Sequence, residues 1–457
     1  MIQSRLFAAL LVGLAIQPAT EAHAQSGPRL PVWLAGPPLP EGAIRRFGKP
    51  PPPLPVATKT ESTARRVSRL EEAGPQPTRT VMALTPDGTQ LVVADYTGRI
   101  DLWDIASGRL VKRLQEPGPD PIHSMAVSPD GRWLACGRTR PDIQLWELAT
   151  GKVAGTIPLK RAAERSRPGI PERMAFAPDG KALYTGIDIY SDTGDHGSTA
   201  WEVPSGKRLW NVNGVGYNLA ADPRGRWVLT GILDDPARLA LFDSATGRVV
   251  RAMPIEPSWE PGEGGSVAVD ASATMDRMFT PDGSRLLSIH SDGTLRAWDP
   301  LAGRELTRIK WGSDRSAEPG GLACSPDGKW VAVREAATIY VWELSSGRKV
   351  RTITGHDAPV REMAFTRDGR GLIGNAGPAP ILWSLAPKEL PVIDRPADGL
   401  WDALGSEDAP AAYSLQWALV ADPAAAVKLL SSRVRPAELV LPRARFDRLV
   451  AAVDSPE

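Results

Sequence analysis

The sequence of 457 residues is poor in cysteine and histidine and has almost no excess of charge of either sign. It has two cysteines, Cys136 and Cys324, too few for a disulfide framework. We expect both to be buried free thiols, because they lie far apart and each is in an apolar run. Basic and acidic residues number 54 and 53, and no polybasic block occurs among them. Composition therefore favours neither a nucleic acid nor an anionic membrane as a partner.

Catalytic and metal-binding motifs are equally scarce. The sequence has no His-x-x-x-His, Cys-x-x-Cys, Gly-x-Ser-x-Gly or glycine-rich phosphate loop. Asp188, Asp192, Asp195 and His196 could hold a cation, but their spacing matches no known calcium loop, and we interpret them as a solvated polar turn. We expect no catalytic residue, no metal site and no cofactor.

An apolar segment of membrane-spanning length is missing from the amino terminus. Residues 6–16 are apolar over eleven positions, which is too short to cross a bilayer. Arg5 precedes this run and Ala22-His23-Ala24 follows it, as in a secretory signal with its cleavage site. We expect residues 1–24 to be a cleaved signal peptide. The mature chain is then exported, periplasmic or secreted, begins near Gln25 and does not insert into a membrane.

Glycine (43), proline (44) and tryptophan (15) are abundant, and some of the glycine and proline lies in a turn motif that recurs seven times. Pro-Asp-Gly occurs five times, and two degenerate copies complete the series. The copies begin at Pro86, Pro129, Pro178, Pro223, Pro281, Pro326 and Arg367. Proline sets φ for the first central position of a tight turn, and Asp and Gly suit the positions that follow. The motif therefore predicts seven tight turns.

An apolar run and then an aromatic residue follow each turn. The aromatics are Trp103, Trp146, Trp201, Phe242, Trp298, Trp342 and Trp383, and a second turn that contains glycine follows six of them. Successive first turns are 43, 49, 45, 58, 45 and 41 residues apart. This spacing is the period of a four-stranded propeller blade. We predict an all-β fold, a seven-bladed β-propeller over residues 78–393.

Alanine occupies one further register, three residues before the turn, in six of the seven repeats. The position holds Ala83, Ala126, Ala175, Ala220, Ala323 and Ala364, and Met278 in the fifth repeat. We expect it to lie on the innermost strand, where neighbouring blades converge and only a small side chain fits.

Three segments show which family the repeats resemble. They are Ser-Pro-Asp-Gly at 128–131, Ser-Asp-Gly-Thr-Leu-Arg-Ala-Trp-Asp at 291–299 and Thr-Ile-Thr-Gly-His at 352–356. Over about residues 78–385 the chain resembles WD40 repeats. The resemblance implies a buried network of His, Ser, Asp and Trp in each blade. Only Gly355-His356 keeps the Gly-His pair of that pattern, so most blades must rely on packing and turns.

The segments on either side of the repeats differ in composition. Residues 25–77 contain Pro50-Pro51-Pro52-Pro53 and are typical of an extended linker. Within this segment, residues 43–47 could add the outer strand of the last blade and close the ring.

Residues 397–457 change to helical signals. Ser406 can cap a helix that runs to Ala421, Asp422-Pro423 begins a second helix, and Pro442 opens a third through Val453. We predict a small α-helical extension, which resembles those that follow propellers in other bacterial WD40-like proteins. Residues 454–457, Asp-Ser-Pro-Glu, are themselves a helix-start signal, which leaves open whether this extension is truncated.

The connections between the expected strands vary in length on one face of the ring. Residues 151–173, 186–198 and 251–276 are long and rich in charged and aromatic side chains, and insertions on one face of a repeat protein commonly form its binding face. The candidate partner-binding residues are Arg161, Arg165, Arg167, Tyr190, Asp192, His196, Glu256, Trp259 and Glu260.

From these features we predict a non-enzymatic scaffold that binds a protein or peptide through the loop-rich face. We expect no nucleic-acid partner and a monomeric chain. One alternative is an exported propeller enzyme, either quinoprotein-like or a metal-assisted hydrolase that acts at the central channel. Another is a carbohydrate-binding module, which depends on Trp259 and Tyr190.

Overall fold

The structure is a computed structural model. It describes residues 39–40, 42–47, 80–95, 97–118, 120–138, 142–159, 170–187, 197–212, 214–232, 235–254, 274–290, 292–311, 319–354, 360–376, 379–393 and 397–433. The chain divides into two compact units, one of residues 21–388 and one that includes residues 389–457.

Seven four-stranded antiparallel sheets make up the first unit, which confirms the predicted seven-bladed propeller. The inner strands are β2 (Val81–Leu84), β6 (Ile122–Val127), β10 (Pro171–Phe176), β14 (Gly214–Ala221), β18 (Thr274–Phe279), β22 (Pro319–Cys324) and β26 (Val360–Phe365). The second strands are β3 (Gln90–Ala94), β7 (Trp133–Arg138), β11 (Ala182–Ile187), β15 (Trp227–Ile232), β19 (Leu286–His290), β23 (Trp330–Glu335) and β27 (Gly371–Ala376).

The two remaining positions of each blade complete the sheets. The third strands are β4 (Ile100–Asp104), β8 (Asp142–Glu147), β12 (Gly197–Glu202), β16 (Asp235–Asp243), β20 (Thr294–Asp299), β24 (Thr338–Glu343) and β28 (Pro380–Ser384). The outer strands are β5 (Leu110–Gln115), β9 (Lys152–Pro158), β13 (Arg208–Val212), β17 (Val249–Pro254), β21 (Arg304–Lys310), β25 (Arg348–Ile353) and, in the seventh blade, β1 (Ala43–Arg46).

The first turn shows why the Pro-Asp-Gly motif ends each inner strand. The Thr85 hydroxyl donates to Asp87 at 2.5 Å, and the Asp87 carboxylate accepts the N–H of Thr89 at 3.1 Å. Gly88 has φ near +70°, and a Cβ there would lie 2.3 Å from the Cβ of Arg367 in the seventh blade. Glycine is therefore required both for the backbone angle and for the close approach of two blades.

The fourth blade reaches the same turn with a different residue order. Its turn is Pro223-Arg224-Gly225, without the central aspartate, and Asp222 stands one position before the proline. The Asp222 carboxylate accepts the N–H groups of Arg224 at 3.0 Å and Arg226 at 3.3 Å. The degenerate sequence therefore retains a carboxylate acceptor inside the turn.

The hydrophobic core lies between neighbouring blades. One cluster joins Val92 and Leu102 of the first blade to Leu134, Cys136 and Trp146 of the second. Equivalent clusters join the second and third, third and fourth, fourth and fifth, fifth and sixth, and seventh and first blades. Each sheet therefore buries both faces, which explains strands that are nearly continuous apolar runs. Cys136 and Cys324 are buried free thiols, and burial raises the pKa of Cys324 to about 12.

The ring is closed by a strand from the amino-terminal side. β1 pairs antiparallel with β28, and Phe47, the next residue, donates its N–H to Pro380 at 2.8 Å. The Phe47 side chain is 1% exposed and packs among Leu91 and Ile373. In the seventh blade, hydrogen bonds and packing therefore hold the amino-terminal strand of the propeller against its carboxy-terminal strands.

In five blades a side chain at the same position links the outer strand to the next blade. This latch position, opposite the residue before the third-strand aromatic, holds a long side chain in five blades. Its occupants are Arg45, Lys112, Trp210, Arg251 and Arg351. Arg45 donates to the carbonyls of Ile105 (2.6 Å) and Ala106, and Lys112 donates to that of Thr150 at 2.7 Å. The latches tie the outer edges of successive blades together.

The second unit contains three described helices, α1 (Ala397–Leu404), α2 (Ala409–Ala421) and α3 (Pro423–Arg433). Their apolar faces meet in a cluster that includes Leu400, Leu415, Leu419 and Leu429. Among the described residues, no helix combines the length and apolar character that a membrane crossing requires.

Two of the expected helix starts can be compared with the structure. Asp422 accepts the N–H of Ala425 at 3.0 Å, which confirms it as the cap before Pro423. The cap predicted at Ser406 is wrong. Asp408 accepts the N–H of Ala411 instead. A helix that begins at Ala409 has Pro410 in its first turn, where the N–H that proline lacks is not needed. The helix expected from Pro442 lies outside the described residues.

Candidate partner-binding site

The propeller presents two faces whose connections differ in length. Because strands alternate in direction, connections from inner to second strand and from third to outer strand share one face, here called the turn face. All of these have four to six residues. Connections from second to third strand, and from outer strand to the next inner strand, share the opposite loop face. Within the repeats they range from the single residue 213 to residues 255–273, and the connection from β1 to β2 is longer still, residues 47–80. The strand bounds confirm the expected contrast between the faces.

The nine candidate residues all belong to segments that connect strand ends on the loop face. Arg161, Arg165 and Arg167 lie between β9 and β10, Tyr190, Asp192 and His196 between β11 and β12, and Glu256, Trp259 and Glu260 between β17 and β18. All nine lie outside the described residues. Whether they come together therefore stays a prediction, and the described part of the site is the loop-face end of the central channel.

Bulges shape the inner strands near that end. In five blades the pairing of inner and second strands shifts near the start of the inner strand, as between Pro171 and Arg173 in β10 and between Thr274 and Asp276 in β18. A bulge bends its strand and redirects the side chains beside it. The residue beside the bulge in β10 is Arg173, and in β18 it is Asp276.

An ion pair crosses the channel between these bulges. Arg173 Nη2 lies 2.9 Å from Asp276 Oδ1, although the fourth blade separates the blades that hold them. The other oxygen of Asp276 accepts the N–H of Leu322 at 3.0 Å, so this carboxylate also joins the fifth blade to the sixth. The arginine side chain is 45% exposed, whereas that of Asp276 is 11% exposed. Arg173 therefore presents a positive charge to solvent from a fixed position.

A second carboxylate of the channel acts on the same arginine. Glu362, in the seventh blade, accepts the N–H of Met82 in the first blade at 2.9 Å. The pKa of Arg173 is raised, chiefly by the nearby Asp276 carboxylate and further by Glu362. An arginine held in this way can form paired hydrogen bonds to a carboxylate or phosphate group of a partner.

From the sequence, Arg173 and Asp276 are only the last residues of the predicted loop-face segments 151–173 and 251–276, and Glu362 is not singled out, although the alanine register could have located all three. Arg173, Asp276 and Glu362 each stand two positions before the register residue of their repeat. Other repeats have Val81 and Ser124 at this position. Charged residues at an inner-strand position would have been the signal.

On the turn face, aspartate carboxylates accept hydrogen bonds from residues of their own turns. The pKa of Asp87 is lowered by hydrogen bonds from Thr85 and Thr89, and that of Asp104 by the hydroxyl and N–H of Ser107. The pKa of Asp243 is lowered in the same way, by the hydroxyl and N–H of Thr246. These carboxylates are acceptors for local donors and stabilise short turns.

One buried polar network in the fifth blade contains a serine and a histidine. Trp298 donates its indole N–H to the Ser288 hydroxyl at 2.9 Å, which lies 2.8 Å from His290 Nε2. Burial, with the nearby charge of Arg296, lowers the pKa of His290 to about 3. Ser288 is 0% and His290 1% exposed, so a substrate cannot reach this pair and we assign it a structural role. Among the described residues, no three His, Cys, Asp or Glu side chains are grouped to hold a metal ion.

The expected network of His, Ser, Asp and Trp is therefore present only in part. One repeat, in the first and second blades, can be identified by comparison. Residues 108–147 match the WD40 model, the WD domain, G-beta repeat. The match begins at the turn before β5 and ends with β8. A WD40 repeat here is thus the outer strand of one blade with three strands of the next, which explains why β1 must supply the last outer strand.

Relatives match parts of the chain. The Periodic tryptophan protein 2 homolog of Dictyostelium discoideum is 26% identical over 170 residues, 36% of this chain and 17% of that protein. A WD repeat-containing protein of Synechocystis sp. is 32% identical over 101 residues, 22% of this chain and 28% of that protein. The U3 small nucleolar RNA-interacting protein 2 of Homo sapiens is 33% identical over 101 residues, 20% and 21% of the two chains. The chain thus spans less than a third of the length of these relatives.

Proposed function

We propose that this protein is a non-enzymatic scaffold that binds a protein or peptide partner through its loop face. The observation that carries the proposal is that length variation is concentrated at one end of the channel, where Arg173 is exposed. Short turns on the other face leave little surface that differs between blades. None of the three relatives' names states a catalysed reaction. These points support binding, with the nine candidate residues as its contacts.

Arg173 gives the partner a chemical requirement. Its guanidinium is held between carboxylates at the loop-face end, so a carboxylate or phosphate of the partner is the complementary group. The surrounding long segments add Trp259, and tryptophan and arginine are the residue types that most often dominate interface energies.

Affinity capture from the exported fraction, with the mature chain as bait, tests the proposal. Trp259→Ala, Arg173→Gln and a variant with residues 255–264 shortened should each weaken capture, since loss of a true anchor costs about 2 kcal/mol or more. Lys181→Ala and Lys207→Ala, both exposed on the turn face, are the matched controls and should capture normally. Circular dichroism checks folding. Equal capture by all variants, or loss only in the controls, would overturn the loop-face proposal.

We also propose that the chain is exported, that its signal peptide is then removed, and that the mature chain is a monomer. The pattern of Arg5, the apolar run and Ala22-His23-Ala24 supports export. Amino-terminal sequencing of protein from the exported fraction should give Gln25 or a close neighbour. Recovery of the chain in the cytoplasm with Met1 in place would contradict export.

A further inference from the structure

Positive charge on the outer strands is concentrated in four consecutive blades. β21, β25, β1 and β5, of the fifth, sixth, seventh and first blades, together contain ten Lys or Arg residues and one acidic residue, Glu305. β9, β13 and β17, in the other three blades, contain one basic residue each. We call the first four strands the cationic arc. It exists although the whole chain has a net charge of only +1.

The arc presents its charge together with apolar side chains. In β21 the exposed residues are Arg304, Leu306, Arg308 and Lys310, and Arg308 and Lys310 lie on the same face of the strand. Arg308 pairs with Glu305 at 2.7 Å, yet its side chain remains 45% exposed. Ile44 in β1 and Val111 in β5 are 53% and 51% exposed.

Each outer strand also has an open edge. It is hydrogen-bonded to the third strand of its own sheet, and no other strand pairs with it among the described residues. A bulge beside the third-strand aromatic interrupts the pairing at the turn-face end, as between Ala297 and Trp298. The rest of β21, from Thr307 to Lys310, pairs without a shift. That stretch offers a regular row of backbone donors and acceptors.

Protection of the open edges does not explain this distribution. Lysine and arginine on edge strands prevent unwanted pairing with other sheets, but that need is the same in all seven blades. β9, β13 and β17 expose Val153, Leu209 and Val249, each with a single cation on its strand. Arg45, Lys112 and Arg351 serve as latches, but seven other cations remain on the four strands. Only two, Lys152 and Arg208, remain on the other three strands when the latch residue Arg251 is set aside. This remaining excess calls for a ligand.

We propose that the cationic arc binds an extended acidic segment of a protein partner, added as a fifth strand to the edge of a blade. Acidic side chains of the segment lie beside Arg308 and Lys310, and apolar ones lie beside Leu306. Strand addition supplies main-chain hydrogen bonds, and the alternate side chains supply specificity. A nucleic acid has no such backbone, and the four strands contain no aromatic residue on which a base could stack.

Fluorescence anisotropy with the full chain and three labelled probes tests this. The probes are a decapeptide of alternating Glu and Val, the same decapeptide with every backbone nitrogen methylated, and a decamer of deoxythymidine. Methylation removes the N–H donors that a strand edge pairs with, so the second peptide has the charge without the pairing. We expect the Glu-Val peptide to bind at least about tenfold more tightly than either other probe.

Variants locate the binding on the arc. Lys310→Glu with Lys349→Glu should weaken binding of the Glu-Val peptide about tenfold, because each change replaces attraction by repulsion. Lys152→Glu with Arg208→Glu, on exposed positions of β9 and β13, is the matched control and should leave the affinity unchanged. Trp259→Ala should also leave it unchanged, which separates this surface from the loop face.

Four results would overturn the proposal. They are no binding of the Glu-Val peptide, equal affinity for all three probes, tighter binding of the deoxythymidine decamer, and equal effects of the two double variants. Equal affinity would mean attraction by charge alone, and preference for the decamer would mean a nucleic-acid surface.

Discussion

The third-strand tryptophans of the second, third, fifth and sixth blades each bring an indole N–H into the core, and that donor needs an acceptor. In the third and fifth blades Thr185 and Ser288 supply it, with distances of 2.9 Å to the indoles of Trp201 and Trp298. The equivalent residues of the second and sixth blades are Cys136 and Val333, by the strand register. Among the described residues, the buried indole nitrogens of Trp146 and Trp342 have no hydrogen-bond partner. An unmet buried donor costs about 1–3 kcal/mol.

Val333→Thr should therefore stabilise the protein. The substitution keeps the side-chain shape and places a hydroxyl where Thr185 and Ser288 stand, and we expect about 0.5–1.5 kcal/mol more unfolding free energy. Thr185→Val should do the reverse and cost about 1–3 kcal/mol. Urea unfolding measures both.

Val331→Thr is the control, since this buried position holds leucine in the third and fifth blades. It should lose stability, because its hydroxyl has no donor to serve. Equal losses at Val331 and Val333 would mean that the indole does not use the hydroxyl.

The buried His290 makes stability depend on pH. Its pKa is about 6.5 when unfolded and about 3 in the fold. Below pH 6.5 the unfolded chain takes up a proton that the folded chain does not, so stability from this group is complete above pH 6.5 and declines as pH falls. The slope is about 1.4 kcal/mol per pH unit at most.

His290→Gln should flatten that decline. Thermal melts of both proteins at pH 7, 5.5 and 4.5 would show a smaller drop for the variant, since glutamine does not titrate. Parallel curves would mean that other groups carry the acid sensitivity.

Residue-scale prediction succeeded where a repeat gave several copies of the same position. Six alanines in one register indicated the inner strand, and the strand pairing places them there. Arg173 was predicted only as the end of the segment 151–173. Its ion pair was missed because Asp276 is 103 positions away and a bulge sets the direction of both side chains. A contact between two repeats produces no recognisable sequence pattern within either repeat.

At the scale of elements, the closing strand β1 depends on one buried side chain. Phe47 is 1% exposed, and its removal leaves a cavity between the seventh and first blades. Phe47→Ala should cost about 3–5 kcal/mol. It should also speed hydrogen exchange of the β28 amides that pair with β1.

Ile44→Ala is the control within the same strand. Ile44 is 53% exposed, so the change should cost less than about 0.5 kcal/mol. Similar losses from the two variants, or unchanged exchange in β28, would mean that β1 does not hold the ring closed.

The helices show where element prediction depends on local chemistry. The Asp422-Pro423 start was predictable because cap and proline are adjacent. α1 was not predicted, since Gly399 lies inside it and glycine disfavours helix interiors. Its helical state depends on packing of Leu400 against α2 and α3, which is tertiary information.

At the scale of the whole molecule, seven similar units determine the fold because each buries both faces of its sheet against its neighbours. The count of turns therefore predicted the architecture. The long loop-face segments have no counterpart in other repeats, so neither register nor period specifies their conformation. This is why the fold followed from the sequence, while the nine candidate binding residues stay predictions.

Photo-cross-linking with the captured partner tests the central claim most directly. Benzoylphenylalanine replaces Trp259 on the loop face in one bait and Ala245, an exposed residue of the turn face, in another. A scaffold that binds through its loop face should cross-link the partner from position 259 and not from position 245. Cross-links from position 245 alone would contradict the account.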